Sequence, residues 1–273
     1  MSVKQEPQQH GSAKRNPVFE FFAQSIAIGE VELIKLIRDP TEILSRAVQP
    51  ILWLVVFGQV MNKVHGITTG NLSYQDFMTP GILAQSVLFS AIFYGISVIW
   101  ERDMGVVHKM LVSPAYRGAL VLGKAVSAGF RGIVQAMIIY ILAIIMGIGI
   151  RWDPASIVGV FFAVVLGSAI FSTFSLVIAC IVKTRERFMG IGQVLTMPLF
   201  FASSAIYPIA LMPDWLKIVA KVNPLTYLVD SLRTMMIVAG ESSQSLTVDF
   251  VVMSVVFLVL LFIASKLYPT LVQ

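Results

Sequence analysis

The strongest constraint in this sequence is the length of its apolar runs. Residues 250–263 contain twelve Phe, Val, Leu or Ile side chains, and each of them contributes about −0.3 to −0.6 kcal/mol to insertion at the centre of a bilayer. Lipid cannot hydrogen-bond an exposed backbone, so a span of about 20 mostly apolar residues must be helical. Such runs lie at about 43–62, 82–100, 125–149, 156–182, 188–207 and 248–266. The sequence therefore predicts an all-α polytopic membrane protein with six transmembrane helices.

The composition agrees with a membrane protein and argues against a nucleic-acid partner. Of the 273 residues, 57% are hydrophobic and 13% are charged, and the mean hydropathy is +0.83; soluble domains carry about 25% charged residues. The formal charge of +5 comes from Lys and Arg side chains clustered between the apolar runs, where lipid headgroups account for them. Residues 1–18 lack the apolar core of a signal peptide. We expect a disordered cytosolic tail there and one transmembrane domain over residues 19–273.

The positive charges predict the orientation of the chain. Cytoplasmic connections are enriched in Lys and Arg. Most of these residues lie before and just inside the first run, in the second connection and in the fourth: Lys4, Lys14, Arg15, Lys35, Arg38, Arg46, Arg102, Lys109, Arg117, Lys124, Lys183, Arg185 and Arg187. We therefore expect both termini in the cytoplasm and the first, third and fifth connections outside.

Two further segments are neither spans nor plain loops. Residues 19–38 place Phe22, Ile26 and Leu33 near one helical face and charged side chains on the rest, which is typical of an interfacial helix. Residues 208–240 hold three prolines around two short apolar pieces. The second piece is too short to cross a bilayer, so the sequence predicts an external re-entrant or interfacial helical segment between spans five and six.

The stretch from Gly118 to Ala125, GALVLGKA, comes within one residue of a phosphate-binding loop. A working loop needs a preceding strand, a Ser or Thr after its Lys, and a carboxylate on a second buried strand. Lys124 is instead followed by Ala125, within a predicted span. We interpret Lys124 as a cytosolic anchor of the third span and predict no nucleotide site, cofactor or catalytic residue. One cysteine and three histidines offer no metal-ligand spacing.

The connection after the second span, ERDMGVVHKMLV, is amphipathic. Met104, Val107 and Leu111 recur at helical spacing among charged residues, and Ser113-Pro114 would end the helix. This pattern predicts a short helix facing the cytosol. Two interpretations stay open on the pattern alone: a solvated helix that tethers two spans, or a helix that docks into a groove on a soluble partner.

The same run, with Pro213-Asp214-Trp215-Leu216 and residues 223–233, NPLTYLVDSLR, resembles the ABC-2-type permease family, above all its drug-resistance and nodulation-factor export permeases. The similarity covers about residues 20–268, with the motifs in the same order. It implies the membrane subunit of an ABC exporter, with two copies of the permease and two of a separate ATPase subunit, in the plasma membrane of a prokaryote. A small molecule, a lipid or a glycan would fit equally well as substrate.

The resemblance maps a coupling helix, which contacts the ATPase, onto residues 101–114. The residues implied in coupling are Glu101, Arg102, Asp103, Met104, Gly105, Val107, His108, Leu111, Ser113 and Pro114. His108 is a departure, because the family usually has an acidic residue at this position.

Uncharged polar residues are the candidates for a translocation pathway. No Asp or Glu lies near the centre of a predicted span, which disfavours a proton-coupled secondary transporter. Arg131, one to two turns inside the third span, is interpreted as reaching back to the interface. Gln59, Gln85 and Ser204 are predicted to line a pathway, since an unpaired glutamine in lipid is costly. Most such groups in spans simply bond neighbouring helices.

Asn223 and Pro224 form a helix-start signal, and Asp230 can pair with Arg233 three residues later. With Tyr227, these residues are predicted to form an external gate, against the simpler alternative of a static closure. The alternatives for the whole chain are a membrane channel or scaffold without ATP coupling, a secondary transporter, or a membrane enzyme, which the absence of H-E-x-x-H and G-x-S-x-G motifs disfavours.

Overall fold

The computed structural model describes residues 17–38, 40–62, 72–112, 116–182, 184–240 and 244–272. Within these ranges the chain is helical, apart from loops and one isolated antiparallel bridge between Ile150 and Ile237. The helices are α1 (Pro17–Arg38), α2 (Pro40–Leu52), α3 (Gln59–Asn62), α4 (Tyr74–Asp103), α5 (Val106–Val112), α6 (Arg117–Ile145), α7 (Pro154–Ile181), α8 (Arg185–Phe201), α9 (Asp214–Val222), α10 (Pro224–Met236) and α11 (Leu246–Leu267).

Four of these helices are long and apolar enough to cross a membrane. They are α4, α6, α7 and α11, the last continued by a 3-10 turn to Leu271. They correspond to the second, third, fourth and sixth predicted spans and confirm an all-α membrane protein. α4 begins eight residues before the predicted span, because its first two turns are packed inside the fold and need no apolar surface of their own.

The predicted first and fifth spans are built differently. The first consists of α2, a π-helical turn at Trp53–Gly58 and α3, with a shorter apolar stretch at Ala47–Met61. Pro50 lies inside α2 and cannot donate a backbone hydrogen bond to the preceding turn. The fifth is α8, with 17 residues. The number of crossings beyond four therefore stays a prediction.

α7 forms the centre of the bundle and contacts α4, α6, α10 and α11. Its small residues permit close packing: a Cβ at Gly167 would lie 2.6 Å from Cδ2 of Leu228 on α10. The Ser175 hydroxyl donates a hydrogen bond to the carbonyl of Ile92 on α4. Side chains from all four helices fill the main core around α7.

α1 lies along α6 and buries one narrow face. Ser25 and Glu32 are buried there, and Gly123 on α6 lets the helices approach, since a Cβ at that position would lie 2.7 Å from Cβ of Ile28. Phe22 and Ile26 are exposed. The helix predicted over residues 19–38 is thus present, and its place at the membrane surface stays a prediction.

The segment between α8 and α11 folds into a 3-10 turn at Ile209–Leu211 followed by α9 and α10. α9 is mostly exposed, whereas α10 is packed against α4, α7 and α11. α10 is therefore part of the bundle core. Whether this segment re-enters a membrane stays a prediction.

The predicted helix over residues 101–114 is not continuous. α4 runs on to Asp103, residues 104 and 105 form a turn, and a separate helix, α5, begins at Val106. Gly105 has a φ of +72°, and this left-handed conformation ends a helix. Ser113 and Pro114 lie outside the described residues.

Candidate functional site at the base of the bundle

The end of the bundle that carries α5 is called the base. There α5 is joined to α4 by the Gly105 turn, and its inner face packs on the bundle. Val107 is fully buried in an apolar cluster with Leu120 of α6 and Tyr268, which follows α11. The sequence placed Val107 on one apolar face with Met104, but the turn separates them. Val107 therefore fixes α5 to the bundle and is not available to a partner.

The outer face of α5 and its turn is open. Met104 is 63% exposed and Val112 is 76% exposed, although both are apolar. His108 and Lys109 are exposed beside them. These four side chains, with exposed Asp103, form the outer surface of α5.

Behind α5 lies a group of five charged side chains that we call the charge cluster: Glu32 and Lys35 of α1, Glu101 of α4, and Lys124 and Arg131 of α6. Nζ of Lys124 is 2.6 Å from Oε2 of Glu101, and Nζ of Lys35 is 2.9 Å from Oε1 of the same residue. Glu32 receives Lys35 at 2.9 Å, Arg131 at 3.7 Å and Lys124 at 3.8 Å. The cluster thus joins three helices at the point where α4 leads into α5.

The charge cluster is desolvated. All its members except Lys35 are buried. Beneath it lies the buried ring of Tyr94, with the Arg131 guanidinium 4.5 Å and the Lys124 ammonium 5.6 Å from its centroid. A buried charge that loses its partner is strongly destabilising. The cluster therefore resists any motion that would separate α1, α4 and α6.

The ionised state of Glu32 is maintained by its partners. Burial alone would raise the pKa of this carboxyl group, but the positive charge of Lys124 and the hydrogen bond donated by Lys35 outweigh burial and lower the pKa to about 2. Burial likewise opposes the charge on Lys35, and hydrogen bonds to Glu101 and Glu32 raise its pKa above the usual value. Both groups are charged at neutral pH.

Two sequence interpretations are corrected by this geometry. Lys124 is not a simple cytosolic anchor, and Arg131 does not reach back to an interface, because both are buried against carboxylates. Glu101, which the resemblance implies in coupling, points inward to Lys124 and Lys35. The sequence held one indication of this cluster, because Lys124 and Arg131 are seven residues apart and therefore share one face of α6. Their partner Glu32 comes from a distant segment, and no local pattern identifies it.

A second charged contact ties α4 to α8 at the base. The Arg185 guanidinium lies 2.8 Å from the Asp103 carboxylate and 3.8 Å from the centroid of the Trp100 ring. Arg102 also contacts Asp103, at 3.0 Å. These side chains are partly exposed, so the contact adds little stability. It sets the position of α8 relative to the start of α5.

At the opposite end, Arg233 of α10 is buried and bonded to backbone. It donates hydrogen bonds to the carbonyls of Ser204, at 2.6 Å, and Phe77, at 3.4 Å, and it stacks 3.9 Å from the Phe77 ring centroid. Asp230 lies 3.7 Å from it, as the sequence spacing predicted. Arg233 thus connects α10 to α4 and to the turn after α8.

The other predicted gate residues surround the start of α10. The side-chain oxygen of Asn223 accepts a hydrogen bond from the Leu225 N–H, and its amide donates to the carbonyl of Leu199 at 2.7 Å. Pro224 is the first residue of the helix. The Tyr227 hydroxyl donates to the carbonyl of Lys221 at 2.6 Å. Asn223 is therefore both a helix cap and a link to α8.

The three predicted pathway residues do not form one cluster. Gln59 is exposed in α3. Gln85 is buried in α4 and lines a cavity with residues of α2. Ser204 is buried after α8, where its carbonyl accepts the Arg233 bond. Of the three, only Gln85 lines this cavity.

Long apolar helices around α7, with an exposed helix at the base tied to them by buried charges, define a polytopic helical membrane protein. The ABC-2 type transporter family model matches residues 23–237. The chain belongs to this family, whose members are membrane permeases of ABC transporters, and membership implies association with an ABC ATPase.

Relatives with curated names agree with this family. The chain is 31% identical to the transport permease ycf38 of Cyanophora paradoxa, over 78% of this chain and 74% of that protein. It is 26% identical to nodulation protein J of Bradyrhizobium diazoefficiens, over 82% and 83%. It is 20% identical to the daunorubicin resistance permease DrrB1 of Streptomyces coeruleorubidus, over 72% and 69%.

Proposed function

We infer that the chain is the transmembrane permease subunit of an ABC exporter, and that it forms the translocation pathway as a dimer driven by a separate ATPase. The carrying observation is the position of Glu101. It lies one turn before α5 and is bonded to both Lys35 and Lys124. A displacement of α5 therefore acts on α1, α4 and α6 together.

In this mechanism the outer surface of α5 receives the ATPase. Met104 and Val112 insert into the partner, while Val107 transmits the movement to Leu120 and Tyr268 behind it. The Asp103–Arg185 contact extends the movement to α8. Because the bundle is closely packed, its helices move as bodies, and access to the pathway alternates between the two sides of the membrane.

The opposite end would act as the external gate. Arg233 bonds backbone carbonyls on two other elements, so opening this end requires those bonds to break together. Asn223, Pro224, Tyr227 and Asp230 hold α10 in place for that closure. On this proposal, the base faces the cytoplasm of a prokaryotic cell, with both termini inside, as the clustered Lys and Arg residues favour.

The deciding experiment reconstitutes the purified chain with a candidate ABC ATPase from the same organism and measures ATP hydrolysis. The permease should raise the rate, and Met104→Glu or Val112→Glu should abolish that increase, because a charge replaces an exposed apolar contact. Val238→Glu is the matched control, since Val238 is also exposed, at 60%, but lies after α10. No stimulation by the wild-type chain, or equal loss in the control, would contradict the proposal.

The orientation is tested with the same surface. In a Cys180→Ser background, Met104→Cys should react with a membrane-impermeant maleimide in inside-out vesicles and not in intact cells. Labelling from outside intact cells would place α5 away from any cytosolic ATPase. Crosslinking of the purified chain tests the dimer. A crosslinked dimer would support this part of the proposal, and a permease that remains monomeric during transport would refute it.

A further inference from the structure

A cavity with both polar and aromatic walls lies between α2 and α4. Its volume is about 280 Å³, and it is lined by Ser45 and Gln49 of α2 and by Gln85, Ser86, Phe89 and Phe93 of α4. Phe89 falls at the middle of α4, which is a predicted membrane span. We call this cavity the slot. A glutamine such as Gln85, inside a helix of membrane-spanning length, is costly unless it has a partner.

The floor of the slot holds a polar atom without a partner. Gln85 is only 3% exposed, and among the described residues its Oε1 accepts no hydrogen bond. Leaving such a group unpaired costs about 1–3 kcal/mol. The neighbouring Ser86 hydroxyl donates to the carbonyl of Leu83, which leaves its oxygen able to accept another hydrogen bond. The slot therefore offers both donors and acceptors to a molecule that enters it.

The walls define the chemistry of that molecule. Among the described residues, none that lines the slot is ionisable, so in this lining a charged group would lose its hydration without gaining a counter-charge. The Phe89 and Phe93 rings lie 6.2 Å apart and are inclined at 37°, which provides an apolar surface beside the amides. The matching ligand has an uncharged headgroup with hydroxyl or amide groups and an apolar body.

We propose that the slot binds the uncharged, hydroxyl- or amide-bearing headgroup of an amphiphile that enters from the membrane. This names a substrate class for the chain and rests on its proposed role as a permease. A second copy of the chain is the competing occupant.

The test measures equilibrium binding to the full chain in nanodiscs, without ATPase. The probes are three radiolabelled octyl amphiphiles below their micelle concentrations: octyl glucoside, octyl phosphate and octyltrimethylammonium. Octyl glucoside should bind at least about tenfold more tightly than either charged probe. Equal binding of a charged probe would overturn the proposal.

Two variants locate the binding on opposite walls. Gln85→Leu and Gln49→Leu should each weaken octyl glucoside binding about tenfold, the effect of one lost hydrogen bond. Gln135→Leu is the matched control: Gln135 is buried in α6, and its Oε1 also lacks a partner among the described residues. The affinity of the Gln135→Leu variant for octyl glucoside should stay within about twofold of the wild type. If Gln85→Leu fails to fold, the Gln49→Leu variant, on the exposed wall, still decides.

Two results would refute the slot as the site. One is equal binding by the wall variants and the wild type. The other is crosslinking of Gln49→Cys between two copies with no protection by octyl glucoside, which would show that a second copy covers the slot. Because the binding test contains no ATPase, a negative binding result does not affect the outcome of the ATP hydrolysis test. Binding without stimulated hydrolysis would reject the exporter and keep the slot.

Discussion

The Lys124 ammonium and the Glu101 carboxylate meet at 2.6 Å inside the protein, where each is almost fully removed from solvent. They connect the end of the second turn of α6 to the last turn of α4. This pair closes the base of the bundle next to the turn that carries α5.

Removing one partner of this pair should destabilise the protein strongly. We expect Lys124→Met to lower the free energy of unfolding by about 3–5 kcal/mol, because Glu101 loses a buried counter-charge. The control is Lys217→Met, which breaks an exposed ion pair with Asp214 and should cost at most about 1 kcal/mol. Reversible unfolding in mixed detergent measures both. Equal decreases in the free energy of unfolding for the two variants would show that the buried pair contributes no more to stability than the exposed pair.

Replacing Gly105 should strain the turn before α5. Gly105→Ala has free space around its new Cβ, but φ is +72°, so a loss of about 1–2 kcal/mol is expected from backbone conformation alone. Gly190→Ala is the counterpart, because its Cβ would also meet open space while the residue lies within α8. That variant should be neutral or stabilising by up to about 1 kcal/mol. If Gly190→Ala lowered the stability and Gly105→Ala did not, the proposed backbone strain at Gly105 would be contradicted.

The contact of α7 with α10 should respond as a coupled pair. Gly167→Ala places a Cβ 2.6 Å from Leu228 Cδ2 and should cost about 1–3 kcal/mol through overpacking. In a double-mutant cycle, Leu228→Ala should recover at least about 1 kcal/mol of that loss. The same change should not rescue Gly81→Ala, whose Cβ meets the backbone of Ala205. Strict additivity at Gly167 would refute the contact.

The pH dependence of α1 docking follows from Glu32. Its pKa is lowered from 4.5 to about 2, so its contribution to stability is fully present above about pH 5 and is lost as the pH falls toward 2. The stability difference between the wild type and Glu32→Gln should therefore stay constant from about pH 5 to about pH 8 and shrink in acid. Thermal unfolding at each pH measures it. A difference that changes near neutrality would exclude an ionised Glu32 as its source.

The sequence predicted the elements that depend on local pattern and missed those that depend on distant contacts. α7 and α11 follow from unbroken apolar runs, because hydropathy alone selects a membrane span. The break at Gly105 escaped prediction, since Met104 and Val107 keep helical spacing across it and a glycine inside a helical pattern is often tolerated. Glu32 was placed with the charged residues of the predicted interfacial helix, because its buried partners, Lys124 and Arg131, lie more than 90 residues away.

The polar pathway candidates illustrate the same division. Gln85 could be identified as a candidate from the sequence alone, because it is a glutamine within an apolar run. Its association with Gln49 depends on how α2 lies against α4, and that alignment is set by packing between segments far apart in the chain.

The π-helical turn at Trp53–Gly58 divides the first apolar helical segment into two parts, and the side chains of the two parts point in directions that are set separately. A turn of this kind holds one residue more than an α-helical turn and advances everything beyond it by about 100°. Deleting one residue there would rotate Val60 and Met61 to a new side while Ser45 and Gln49 kept theirs. A single-residue insertion or deletion is thus enough for evolution to retune the far half of this helix and leave the near half untouched.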